Sequence, residues 1–203
     1  MFWEPEMVDF LIGLFLATLI TALFTTRLYR LLFWYALNSL TLGLLALTIG
    51  SRLHDRAMLI SGALTILLKA GAIPYILKVL SRKFELVRQI PPSIKTQYAI
   101  MLVPAILVFT FYLAEPISHM VQGNANYVAV SISSLFLSLL LMIEHRNVAP
   151  KIVGFLCMEN ALFLLGTTAT EGMPMLVELG IFFDLLMAIV VINLLLYREE
   201  AQS

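Results

Sequence analysis

The sequence predicts an all-α integral membrane protein of seven transmembrane helices, with the N-terminus outside and the C-terminus inside. Three observations carry this. First, 61% of the 203 residues are hydrophobic and only 13% are charged, whereas soluble domains average about 45–50% apolar and about 25% charged. A soluble fold of this size cannot hide that much apolar surface, so a cytosolic globular domain, a disordered chain and a nucleic-acid binder are excluded, and the bilayer is the solvent that fits. Second, the apolar residues form seven continuous runs and do not alternate with period two, which excludes a closed barrel. Third, the basic residues collect on one side of those runs.

Each run approaches the roughly 20 residues needed to cross the hydrocarbon. They cover 8–26, 31–49, 57–78, 96–114, 127–143, 150–166 and 174–197. The acidic start, MFWEPEMVD, lacks the basic region of a cleaved signal peptide, so the first run is expected to be retained as a helix. Pro150 and Pro174 fall in the first turn of the sixth and seventh runs, where a missing N–H costs nothing. Pro74 and Pro104 fall inside the third and fourth, and each should kink its helix.

Thirteen basic residues balance thirteen acidic ones, so their positions are informative and their sum is not. Arg27 and Arg30 follow the first run, and Lys78, Arg82, Lys83, Arg88 and Lys95 follow the third. Arg146 and Lys151 flank the turn after the fifth, and Arg198 follows the seventh. These ten lie on one side, against Arg52 and Arg56 on the other. The positive-inside rule then sends every odd helix inward. The one sizeable loop, about 79–95, mixes Phe84, Leu86 and Val87 with its charges and is expected to form an amphipathic helix on the inner surface.

The organisation has a loose symmetry. Residues 1–95 make a three-helix unit with an inner loop, 96–126 a connecting fourth helix with an outer loop, and 127–203 a second three-helix unit. Asn38 and Lys69 interrupt the first unit, and Glu159, Asn160 and Asp184 interrupt the second. Both units enter from the same side, as a parallel repeat does.

The chemistry lies in the charges placed within the spans. A charge at the bilayer centre costs at least about 2.5–3.5 kcal/mol. Lys69, Glu159, Glu178 and Asp184 all fall inside runs. Counting at 1.5 Å per residue puts Lys69, Glu159 and Asp184 near the midplane and Glu178 about 9 Å nearer the outside. Buried acids and a buried lysine exchange protons near neutral pH. The set reads as a proton relay of Lys69, Glu159, Asp184, Glu178 and the polar Asn38, with water-bridged gaps expected in preference to one short salt bridge. The static alternative is a pair that only holds helices together.

Other chemistry is not supported. The single cysteine, Cys157, excludes an internal disulfide, an iron–sulfur site and a thiolate zinc site, and it reads as a packing residue. His54, His119 and His145 fall at run ends on both sides and are expected to be interfacial. There is no Gly-rich phosphate motif, no separate soluble domain for a cofactor and no metal or catalytic constellation. Cofactors are expected on other chains.

The C-terminal stretch EHRNVAPKIVGFLCMENALFLLG, followed by PMLVELGIFFDLLMAIVVINLL, resembles component E of hydrogenase-4, the membrane subunit shared by formate-hydrogenlyase-type complexes. The features that carry it are the Arg146-Asn147 turn, the Gly154–Asn160 segment ending Met-Glu-Asn, and the Leu-Val-Glu-Leu-Gly run through Asp184. The N-terminal half resembles it through the Tyr29-Arg30-Leu31 turn and the lysine-bearing third helix. The same C-terminal triplet is similar to the K-type (4L) subunit of complex I and to the C subunit of multisubunit antiporters. Where the K-type pattern has Ile-Gly-Leu-Glu, this chain has Val153-Gly154-Phe155-Leu156, with Glu159 three residues later. Gly180 stands at the second acid's place, with Asp184 one turn on. The resemblance implies an inner-membrane subunit beside a large antiporter-like subunit, with a hydrophilic redox arm on separate chains and no catalysis by this chain alone. A stand-alone transporter and a non-conducting scaffold are the competing readings.

Overall fold

A computed structural model describes residues 4–83, 90, 96–121, 124–145 and 147–169. Among these there is no β-strand. The helices are α1 (Glu4–Leu23), α2 (Leu28–Leu53), α3 (Arg56–Leu64), a π-helical segment (Thr65–Ala72), α4 (Ile73–Lys83), α5 (Thr96–Val121), α6 (Ala125–Glu144) and α7 (Val148–Ala169). They supply six stretches long and apolar enough to cross a membrane: Glu6–Leu23, Leu28–Leu53, Arg56–Val79, Gln97–Ser118, Ala125–Glu144 and Val148–Thr168. These coincide with the first six expected runs. The seventh, 174–197, lies outside the described residues, together with Pro174, Glu178 and Asp184.

Local chemistry sets the turns. His54 closes α2 in the left-handed region at φ 52° and its N–H donates to the Gly50 carbonyl. Asp55 then starts α3, its carboxylate accepting from the Ala57 N–H at 2.9 Å. Asn124 caps α6 the same way, accepting from Asn126 N–H at 3.0 Å. Each cap satisfies a helix-end donor that has no partner within the helix.

The third span is not a uniform α-helix. Pro74 has no N–H, and its ring would press on the carbonyl of Ala70 in α geometry. The helix widens upstream of it into the π segment, where the Ile73 N–H reaches Leu68, five residues back. The expected adjustment at Pro74 therefore takes the form of eight π-helical residues, and Lys69 lies within them. α5 continues through both Pro104 and Pro116.

Most of the loop expected to form a surface helix lies outside the described residues. Residues 79–83 continue α4, but Ile90 is not helical. It is buried, and its N–H donates to the Thr26 carbonyl at 2.9 Å. That contact ties Ile90 to the α1–α2 turn.

α2 packs on α1, α3, the π segment, α4 and α7, while α6 packs on α1, α5 and α7. The α2–α3 crossing is close because two glycines meet. A Cβ on Gly62 would come within 3.0 Å of both the Gly43 carbonyl oxygen and the Leu47 nitrogen. Those are backbone atoms and cannot swing aside. Gly62→Val should therefore cost about 1–3 kcal/mol through overpacking, read as a lower midpoint of thermal unfolding in detergent. An unchanged midpoint would mean that the crossing is not tight.

Two apolar clusters fill the bundle. One holds Leu19, Tyr35, Ile73, Leu137 and Cys157 among others. The other holds Phe15, Leu42, Val130 and Leu164 among others. On four helices a polar residue separates them: Thr18 on α1, Asn38 on α2, Ser134 on α6 and Asn160 on α7. All four are buried.

Candidate functional site, a buried polar layer

The layer between the two clusters is built from hydrogen bonds that cross helices. The Asn38 amide donates to the Phe15 carbonyl at 3.0 Å and to Thr18 Oγ1 at 3.2 Å, tying α2 to α1. The Asn160 amide donates to Asn38 Oδ1 at 3.0 Å and to Ser39 Oγ at 2.9 Å, tying α7 to α2. Where no water competes, an amide that finds no partner is costly, so each bond fixes a helix–helix register.

Beside this network stands an ion pair. Lys69 Nζ lies 3.4 Å from Glu159 Oε1, with side-chain exposures of 2% and 7%. Lys69 is held by the π segment and Glu159 precedes Asn160 on α7, so the pair and the amide network share one level. Lys69, Asn38 and Glu159 each sit within three residues of the middle of their spans, about 4 Å at most along the axis. Single charges at this depth cost several kcal/mol, and mutual attraction in a low dielectric offsets that cost.

Of the expected relay residues, the structure thus brings Asn38, Lys69 and Glu159 to one buried layer. Glu178 and Asp184 lie outside the described residues. The expectation of water-bridged gaps around Lys69 is overturned for Glu159, which it meets directly. Burial explains this: two opposite charges left apart at mid-bundle would each bear the desolvation cost alone. His145 caps the end of α6, just past the span. It is 2% exposed, turned inward, with its Nδ1–H donating to the Leu141 carbonyl at 3.1 Å. Burial holds its imidazole below the ordinary value, opposed by that bond. His54 caps the end of α2 and is exposed.

Sequence reasoning did not find Thr18, Ser39 or Ser134, because serine and threonine inside apolar runs carry no charge signal. It did not single out Glu144 either, which ends α6 and is 2% exposed. Among the described residues there is no group of three or more His, Cys, Asp or Glu side chains able to hold a metal.

Over 183 residues the chain is 28% identical to the hydrogenase-4 component E of Escherichia coli and to that of Shigella flexneri, covering 87% of this chain and 84% of those proteins. Over 171 residues it is 26% identical to an uncharacterized protein of Mycobacterium tuberculosis, covering 83% of this chain and 76% of that one. No protein-family model matches the chain and no solved structure is significantly similar to it. The chain is a distant relative of hydrogenase-4 component E over most of its length. That relationship and the six apolar helices point to a multi-pass membrane protein.

Proposed function

We propose that this chain is a membrane-arm subunit of a complex-I-like or group 4 nickel–iron hydrogenase complex, and that its buried charges take part in proton translocation driven by redox chemistry on other chains. The observation that carries the reading is the Lys69–Glu159 pair in the polar layer. It is supported by the similarity to hydrogenase-4 component E, which is by its name one component of a hydrogenase. In this reading the chain sits in a prokaryotic inner membrane, N-terminus outside. It lies beside a large antiporter-like subunit, and its C-terminal third plays the part of the K-type subunit of complex I.

The chemistry needs two states of one pair. With a proton on Lys69 and none on Glu159 the pair is ionic and closed. When Glu159 takes a proton, the attraction is lost and the ammonium can release its own proton onward, since burial disfavours an isolated charge. A proton has then moved through the layer without an electron crossing this chain. Glu178 and Asp184 are the onward groups in this proposal.

The close contact also favours a second reading, a static clamp between the third span and α7. Glu159→Gln separates the two. Glutamine keeps an oxygen that accepts from Lys69 but cannot titrate. The complex should assemble, somewhat weakened, and redox-driven proton uptake in sealed vesicles should fall about tenfold or more while redox turnover persists. Wild-type pumping in that variant would leave only the clamp.

A further inference from the structure

The polar layer lies at the centre of a ring of four helices. α1 and α7 each pack on both α2 and α6, so the four enclose one axis. Within the layer, hydrogen bonds tie α2 to α1 and α7 to α2. α6 contributes Ser134, whose Oγ has no hydrogen-bond partner among the described residues.

The amide orientations follow from one carbonyl. The Phe15 carbonyl can only accept, so the Asn38 nitrogen faces it at 3.0 Å and Asn38 Oδ1 faces the other way. Asn160 must then present its nitrogen to Asn38 Oδ1, which it does at 3.0 Å, with its second hydrogen on Ser39 Oγ at 2.9 Å. Asn160 Oδ1 is left turned away from α2, also without a partner among the described residues. Asn160 and Ser134 are both 0% exposed.

Ser134 differs from the other serines of α6. Ser131, Ser133 and Ser138 each donate to the carbonyl four residues back, at 2.8, 2.7 and 2.7 Å. Ser134 does not turn back in this way. At 100° per residue it lies about 20° around α6 from Tyr127 and about 60° from Ser131. Tyr127 bonds Asp9 of α1, and Ser131 meets Thr168 of α7. Ser133, which meets Thr110 of α5, is about 100° away. Ser134 therefore points into the ring and away from α5. Its depth agrees. Measured from the Asp9–Tyr127 bond, Thr18 along α1 and Ser134 along α6 differ by about 3 Å.

We infer that one water molecule is bound at the centre of this ring, accepting from the Ser134 hydroxyl and donating to Asn160 Oδ1 and Thr18 Oγ1. Thr18 gives its own hydrogen to the Phe15 carbonyl at 2.8 Å and accepts from Asn38, which leaves one lone pair for the water. Three bonds are ordinary for an internal water, and buried polar atoms left over by direct contacts are where such waters bind. The apolar clusters on either side of the layer enclose it. Through this molecule α6 joins the network that fixes α1, α2 and α7. The site stands whether or not the chain moves protons.

The test is a density map of the full chain, in the complex from which it is extracted, at a resolution that shows ordered water. The wild type should show one peak within hydrogen-bond distance of both Ser134 Oγ and Asn160 Oδ1. Ser134→Val, whose methyl groups occupy that space, should lose the peak and lower the thermal unfolding midpoint by about 2–4 °C. Ser134→Ala should keep the peak, held by Asn160 and Thr18, with a smaller shift. If Ser134→Val fails to assemble, the wild-type and Ser134→Ala maps decide alone. A wild-type map with no peak, or with Ser134 bonded directly to Asn160, overturns the water. So does a wild-type midpoint that rises in sodium chloride but not in choline chloride, with Ser134→Val indifferent to both, because that result reads a bound cation in the same place.

Discussion

Replacing Lys69 with methionine should destabilise the protein by about 3–5 kcal/mol, the cost of breaking a buried pair from one side. The ammonium lies 3.4 Å from Glu159 Oε1 in a layer where both side chains are almost wholly enclosed. Methionine matches the length of the lysine stem but offers no donor and no charge. The carboxylate would then lose its counter-charge or have to take up a proton. Glu159→Gln is milder, because an acceptor oxygen remains opposite Nζ. The companion experiment is the double variant Lys69→Met with Glu159→Leu. Removing both partners of a buried pair is often neutral or better, so most of the lost stability should return. The yield of intact, monodisperse protein after mild detergent extraction, and its unfolding in denaturant, measure both. A Lys69→Met variant as stable as wild type would show that the pair contributes nothing to holding the third span against α7.

The second large effect is expected at Asn38. Its side chain takes part in three cross-helix hydrogen bonds, to the Phe15 carbonyl, to Thr18 and from Asn160. Interhelical bonds within membranes average about 0.6 kcal/mol each, so Asn38→Leu should cost about 2 kcal/mol. The double-mutant cycle with Asn160→Leu is the sharper measurement. Because the two amides are bonded directly, their effects should fall short of additivity. Fully additive losses would mean that the two act separately. Either variant should also disturb the placement of Glu159, the residue before Asn160, so reduced pumping is expected beside the lowered stability.

Proline behaviour was only partly legible in the sequence. Pro104 and Pro116 are accommodated within a continuous α5, whereas Pro74 is preceded by the π segment that holds Lys69. Proline type alone states that one hydrogen bond is missing. Where the strain is absorbed depends on the neighbouring helices, here α2 crossing at Gly43 and Gly62.

Composition and the spacing of apolar runs by themselves determined the membrane class, the six described spans and the unusual cost of Lys69 and Glu159. These follow from one-dimensional facts: an apolar run of sufficient length has no other solvent, and a charge within it is expensive wherever it points. Which charge meets which was decided only by the tertiary structure. Asn38 and Asn160 are 122 residues apart and nothing in their local patterns couples them. The direct Lys69–Glu159 contact, the inward turn of Glu144 and His145, and the alignment of Ser134 with the polar layer depend on the rotation of each helix about its axis. That rotation is set by close crossings such as Gly43 on Gly62 and Gly154 on α6. Hydrophobic periodicity gives little guidance to it in a bilayer, because a lipid-facing side and a protein-facing side are both apolar.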